Sequence, residues 1–435
     1  MATPIKHPRR VPFLLYADDA GHIMEDTRYE VMGRSGREIV RLTKEDFIPL
    51  PTGSEIFFLP NRSPWGFSEK KQKPEIQQDG YAVSAFIAPA HTQTYLSAYA
   101  NDQDAPVLPL YAYTAVGWLD DEFYTTAVRV DPDIRQDVNQ FDLDAITSGI
   151  ERIRNRYPGN RLVDHLSNQC ALSYHCRAAQ NYFLNRWECP IPSSPACNST
   201  CLGCISLQPE EHQIHSSHFR LQFKPDANEI VQVAVDHLME VEDAIISFGQ
   251  GCEGEPLLVS DVLEEAIRKI REKTDRGVIN INTNGSRPQD VDRLCKAGLQ
   301  SIRVSLNSTQ EAWYNPYYLP RNYTFTALKE SIRTVRRYGG WASINYFVYP
   351  GLTDSKAEYE ALGDFIRETG LQMIQWRNFN IDPDWYLVKA KIGTIGKEMG
   401  VANLLIQIKR DFPHLAYGYF NPSAKTQSNH LLSFG

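Results

Sequence analysis

Apolar and polar positions change their rhythm along this chain near residue 190. Residues 1–135 run in short alternating stretches (REIVRLT, EIFFLP, YAVSAFIAP, VLPLYAYTAVGWL, FYTTAVRV) broken by Pro, Gly, Asn and Asp. Period-two alternation between turn residues predicts β-strands. Residues 143–157 and 162–187 space their apolar positions as helices do. From there on, strand-length apolar runs alternate with amphipathic helices. In DVLEEAIRKIREKT, Val262, Leu263, Ala266, Ile267 and Ile270 share one helical face, whereas VININTNG and SIRVSLN alternate.

Counting ECPIPSS as the first strand, the runs DAIISFG, VININTNG, SIRVSLN, ASINYFVYP and LQMIQWRNFNI complete six strand–helix units. Strands joined through helices lie parallel. The expected fold is α/β, a partial (β/α)6 barrel over residues 187–390. An N-terminal β-rich (α+β) module covers 1–160, a helical connection 161–186, and a C-terminal helix and tail 391–435. The role of the N-terminal module is open.

Composition narrows the class. No run of 18 apolar residues appears, and VPFLLY near the N-terminus is too short for a signal segment and is followed by Asp18 and Asp19. A cytoplasmic protein is expected. A net charge of −8 argues against a broad nucleic-acid footprint, which needs a basic face. Eight cysteines in 435 residues are too few for a disulfide scaffold, so a tight cluster of them reads as metal ligation or redox chemistry.

Such a cluster exists: ACNSTCLGC places Cys197, Cys201 and Cys204 at C-x3-C-x2-C just after the first strand. Three thiolates can hold a four-iron cluster and leave one iron open. They can also form part of a zinc site completed by Cys189, Cys252 or a histidine among His212, His215 and His218. The other unusual motifs also follow strands: GQGCEGEP (249–256), TNGS (283–286), SLNS (305–308) and YPGLTDS (349–355). All would face one rim of the barrel, where α/β folds place their chemistry.

CNSTCLGC, followed in order by GEP, TNG and VSLNS on successive strand ends, resembles the radical S-adenosylmethionine (radical SAM) superfamily over residues 187–385. The resemblance implies that Cys197, Cys201 and Cys204 hold a [4Fe–4S] cluster whose open iron is chelated by S-adenosylmethionine (SAM). It implies that Gly254, Glu255 and Pro256 bind the methionine amino group, a role suited to hydrogen-bond acceptors. Thr283 and Asn284 are expected near the ribose or behind the site, and Ser305 and Asn307 at the ribose and carboxylate. Arg303 shares their parity and is either a carboxylate contact or a structural pair. The reaction implied is reductive cleavage of SAM to a 5′-deoxyadenosyl radical that takes hydrogen from a substrate, a peptide or protein or a small metabolite. An electron donor such as flavodoxin or ferredoxin is a further implied partner. One position departs from the family pattern: Gly203 precedes the last cysteine where an aromatic residue is usual.

The remaining cysteines admit two readings. Cys170 and Cys176, on one expected helix, can join Cys189 around an auxiliary cluster, or all three can pack as small hydrophobes, the favoured reading. Cys252 lies inside the rim motif, and Cys295 in a helix. WYNPYYLPRNY (313–323) is expected as a pocket lid or a packed loop. QWRNFNIDPDWY (375–386) brings Arg377, Asn378, Asn380 and Asp382 to the barrel mouth, a polar set suited to a substrate anion. The alternative to an enzyme is a zinc-stabilised binding module without catalysis.

Overall fold

The structure is a computed structural model that describes residues 7–432. Its chain divides into two compact units: Met1–Val138 with Phe347–Ala361 and Trp376–Asp411, and Asn139–Tyr346 with Leu362–Gln375 and Phe412–Gly435. No helix among the described residues is long and apolar enough to cross a membrane.

The first unit is built on antiparallel strands, as the alternating runs predict. Phe13–Ala17 pairs antiparallel with Ile23–Ser35, Val116–Leu119 and Tyr81–Phe86. One face buries Leu15, Ala17, Val83, Ala85, Ile87, Val116 and Ala127 together. The two C-terminal segments of this unit are stitched to its N-terminal strands by polar bonds. Gly36 N donates to Pro350 O at 2.7 Å, and Thr92 Oγ1 to Trp376 O at 3.0 Å. Arg62 and Asp382, both 3% exposed, form a buried ion pair at 3.2 Å.

Most of the parallel sheet lies in the second unit. Its strands are β1 (Glu188–Ile191), β2 (Ile245–Phe248), β3 (Val278–Thr283), β4 (Ser301–Leu306), β5 (Trp341–Val348), β6 (Met373–Asn378) and β7 (Ala416–Gly418), ordered β1 through β7. The sequence rhythm predicts six of them. The seventh, AYG, is only three residues long and lies in the region read as a helix and tail; it pairs parallel to β6. The helices between strands form where expected. α1 (Ala227–Glu240) starts at a capping box: Asp226 accepts from the N–H groups of Asn228 and Glu229, and Glu229 accepts from Asp226 N. α2 (Ser260–Arg271) buries Leu263, Ala266, Ile267 and Ile270, four of the five positions on its apolar stripe.

Strand parity sorts the sheet as the alternation requires. Ile302, Val304 and Leu306 of β4 are fully buried, while Arg303 and Ser305 point to the other face. Register aligns Ser247 with Asn280, Asn282 with Arg303, and Ser305 with Asn345, so this inner face is polar. Asn421, beyond β7, closes it by donating to Ser247 Oγ and Asn282 Oδ1 at 3.2 and 3.4 Å.

Residues 162–187 are not the single helix their apolar spacing suggests. A short α-helix, Arg161–His165, passes into a π-helix, Leu166–Ser173, marked by a Tyr174 N to Gln169 O bond at 3.0 Å. His175 then adopts a left-handed φ of 50°, and a separate helix, Arg177–Phe183, begins after Cys176. Apolar spacing alone does not distinguish one wide turn from an α-turn. The segment read as a lid or loop also contains a helix, Glu311–Tyr318.

Candidate functional site

The cysteine loop leaves β1 and is fastened at both ends. At its start, the buried Glu253 carboxylate accepts from the backbone N–H groups of Ser193 and Ser194 (2.7 and 2.8 Å), the Ser193 hydroxyl (3.0 Å) and Gln250 N (2.6 Å). Burial pushes this carboxyl up to about 8, against the pull of those donors. Next, Gly254 N donates to Ser194 O at 2.6 Å and Glu255 N to Ala196 O at 2.8 Å. The GEP turn therefore lies against the cysteine loop with strand-like bonds.

Further along, the 311–323 segment clasps the loop. Thr200 N and Leu202 N donate to the carbonyls of Tyr318 and Tyr317 at 3.1 and 2.9 Å, and Arg321 N to Asn198 O at 2.9 Å. The Tyr323 hydroxyl meets Ser199 Oγ at 2.7 Å and the Tyr314 hydroxyl at 3.0 Å. The aromatic run is thus a brace for the cysteines, closer to the packed-loop reading than to a lid. It also accounts for Gly203. A Cβ at position 203 would stand 2.6 Å from the Tyr317 hydroxyl oxygen and 3.4 Å from the ring carbon bearing it. Tyr317, itself buried, fills the space that a side chain there would need.

Gly203→Ala is therefore expected to destabilise the protein by about 1–3 kcal/mol through overpacking. Tyr317→Phe in the same chain removes the clashing oxygen and should recover most of the loss. A double-mutant cycle of urea midpoints measures the coupling; strictly additive effects would contradict it.

All three loop cysteines are free and half-buried. Burial pushes Cys197 up to about 11 and raises Cys201 well above the usual thiol range. Arg220 supplies a cation: its Nη2 donates to Cys204 Sγ and to Ser206 Oγ, each at 3.2 Å. Desolvated thiols of this kind give up their protons to a metal, which replaces the lost solvation. The donor set fits a thiolate-ligated cluster. It fits a single zinc ion less well, because tetrahedral Zn–S bonds of about 2.3 Å bring sulfurs to roughly 3.8 Å. Among the described residues the loop cysteines do not gather that closely; the trio whose ligand atoms fall within 4.8 Å of one another is His165, Cys170 and Cys252.

Of the expected SAM-contact residues, Gly254, Glu255, Thr283 and Asn284 gather at this loop. Glu255 is buried, and accepts from the Thr283 hydroxyl, from Asn284 N at 2.8 Å and from Leu257 N at 3.0 Å. Burial lifts its carboxyl to about 7 despite these donors. Pro256 opens the helical turn that follows. Asn284 Nδ2 reaches back to Asn198 Oδ1, within the cysteine loop, at 2.7 Å. Thr283 and Asn284 thus tie the GEP turn and the loop together. Asn307 donates to Trp313 O at 2.9 Å, fixing the entry to the brace, while Ser305 is half-buried on the inner face of the sheet. Arg303 on that face donates to Gln375 Oε1 at 2.8 Å, the structural side of the two expected roles.

Other sequence candidates lie elsewhere. Asn378 and Asp382 belong to the first unit, where Asn378 bonds Gln93 N and His91 O, and Asp382 bonds Arg62 and Leu108 N. These groups are committed to holding that unit together. Cys189 is fully buried, and Cys170, Cys176 and Cys189 do not gather as one ligand set among the described residues. Sequence reading passed over Arg220, a lone arginine with no motif, and the inner asparagines Asn280, Asn282 and Asn421. The strand VININTNG carried a signal for the first two, since alternate asparagines in a buried strand need a polar interior.

A family model for the Radical SAM superfamily matches residues 191–361. Curated protein sequences give no match. Among solved structures, SuiB of Streptococcus suis bound to S-adenosylmethionine is similar at 16% identity, over 52% of this chain and 47% of that one (TM-score 0.35). A radical SAM methyltransferase from Sphaerobacter thermophilus is similar at 20% identity, over 51% and 62% (TM-score 0.36). Methylornithine synthase is similar at 12% identity, over 62% and 77% (TM-score 0.36). The chain thus spans about half the length of the SuiB structure it resembles.

Proposed function

We propose, from the match of residues 191–361 to the Radical SAM superfamily model, that the chain is a radical SAM enzyme that cleaves SAM reductively and removes hydrogen from a peptide, protein or small-metabolite substrate. The observation that carries this reading is the backbone pairing of Gly254 and Glu255 with Ser194 and Ala196, which sets the GEP turn beside the three free cysteines. Cys197, Cys201 and Cys204 would hold a [4Fe–4S] cluster. When bound, such a cluster would supply the electron for reductive cleavage of SAM to methionine and a 5′-deoxyadenosyl radical.

The protein's own part is binding, orientation and exclusion of water. Arg220 offsets negative charge at the Cys204 sulfur. Glu255 presents a carboxylate to an ammonium group, and Thr283 and Asn284 N hold that carboxylate in place. The inner polar face, with Ser305 on it, offers hydrogen-bonding partners for the rest of the cofactor. The electron would come from a donor such as flavodoxin or ferredoxin. Eight free cysteines suit a reducing, cytoplasmic setting. The zinc-module alternative is not favoured, because residues 191–361 match the Radical SAM family model.

Anaerobic reconstitution with iron and sulfide, followed by dithionite and SAM, should yield 5′-deoxyadenosine and methionine. A fully loaded protein that forms neither would overturn the proposal. The buried Glu255 adds a pH dependence. Its pKa is raised to about 7, so the anion that attracts an ammonium is lost as pH falls through that value. SAM affinity is expected to drop by up to tenfold per pH unit between about pH 7 and 6. Titration calorimetry at several pH values checks this, and Glu255→Gln should flatten the profile.

A further inference from the structure

Behind the GEP turn lies a second cluster of metal-binding side chains. His165 Nε2 lies 3.4 Å from Cys252 Sγ, and Cys170 Sγ lies 3.6 Å from the same sulfur. All three ligand atoms fall within 4.8 Å of one another. Cys170 and Cys252 are 3% and 5% exposed, and His165 is half-buried.

The two separations at Cys252 are close to those of a tetrahedron's edges. Zinc–sulfur bonds of about 2.3 Å and zinc–nitrogen bonds of about 2.1 Å put two sulfurs roughly 3.8 Å apart, and sulfur and nitrogen roughly 3.6 Å apart. The backbone is shaped to make them. In an α-helix, residues five apart diverge by about 140° around the axis. The π-helix that starts at Leu166 closes a wider turn and brings Cys170 back beside His165. The third residue comes from the rim loop, 82 positions beyond Cys170.

We propose that His165, Cys170 and Cys252 form a second metal site, for a zinc-class divalent cation that prefers thiolate and imidazole ligands. Three protein ligands leave one corner for a fourth. Cys252 directly precedes Glu253, Gly254 and Glu255, and its carbonyl accepts from Leu221 N at 2.8 Å. A cation there fixes the rim loop from behind, so the site is a positioning device for the GEP turn.

The test separates this site from the loop cysteines. In the full chain with Cys197, Cys201 and Cys204 all changed to alanine, cobalt(II) is added anaerobically. The expected result is one cobalt per chain with the strong visible bands of a tetrahedral centre and a thiolate-to-cobalt charge-transfer band. Cys170→Ser, Cys252→Ser and His165→Ala should each weaken binding by more than the roughly 10–100-fold cost of altering a residue behind a metal ligand. Absent cobalt binding, weak octahedral bands, or binding that survives Cys170→Ser and Cys252→Ser would overturn the proposal. Should the serine variants misfold by circular dichroism, the parent chain decides. Zinc should shield Cys170 and Cys252 from alkylation until a chelator is added. Equal labelling with and without zinc, or recovery of the two as a disulfide, would overturn it. None of these readouts requires SAM cleavage, so the site stands or falls apart from the proposed radical chemistry.

Discussion

Cys201→Ala is expected to abolish 5′-deoxyadenosine formation, a loss of at least about a thousandfold, or roughly 4 kcal/mol in the barrier. The thiol is raised far above its ordinary range by desolvation, with the neighbouring Cys204 and Cys197 adding to the effect. Arg220 and a backbone hydrogen bond favour the thiolate but do not offset that burial, so a bound cation is what would hold it, and removing the sulfur removes a ligand and adds no compensating group. Iron and acid-labile sulfide should fall with activity, while the far-ultraviolet circular dichroism stays that of the parent. Arg220→Ala is the graded counterpart. It leaves all three sulfurs in place and removes only the guanidinium at Cys204, so the cluster should load but become easier to lose to chelators. Cys295→Ala is the control, since that buried thiol sits on the helix Pro288–Ala297. If Cys201→Ala kept its iron and its turnover, the loop would not be the cluster site.

How much of this was legible in the sequence depends on the range of the contacts. The cysteine loop was readable because its three cysteines fall within eight consecutive residues and its spacing is local. The barrel strands were readable because parity and helical spacing are also local, with AYG too short to register. What joined the motifs was not. Gly203 is a departure from the pattern of the family it resembles when read alone, and becomes necessary only beside Tyr317, which lies more than a hundred positions away. Nothing in its local sequence marks Glu253, yet four donors converge on it from two segments. The cysteines outside the loop show the same limit. Cys170, Cys176 and Cys189 were grouped by nearness in the chain, whereas a π-turn and a distant rim loop place Cys170 with His165 and Cys252. Asn378 and Asp382 sat at a strand end, where chemistry is expected, but are spent on bonds that no local pattern announces.

Gly254→Ala tests that long-range assembly at its tightest point. A Cβ on residue 254 would overlap the carbonyl carbon and oxygen of Ala196 and come to 3.1 Å from Cys197 N. Those are backbone atoms, with no rotamer to swing aside, so the GEP turn and the cysteine loop must part by about 1 Å to restore ordinary contact distances. That movement breaks the Gly254 N to Ser194 O and Glu255 N to Ala196 O bonds, and carries Cys197 away from its partners. Misplacement of about 1 Å can cost a hundredfold in rate, so SAM cleavage should fall by at least that factor. Glu255→Gln separates shape from charge: it leaves the backbone pairing intact and removes only the carboxylate. It should weaken SAM binding while cluster loading stays normal, whereas Gly254→Ala should lower both. Iron content and SAM titration on the two variants make the distinction. Normal loading and normal cleavage in Gly254→Ala would mean that the two loops do not need to touch, and that the pairing of their backbones is not what brings the cofactor to the cysteines.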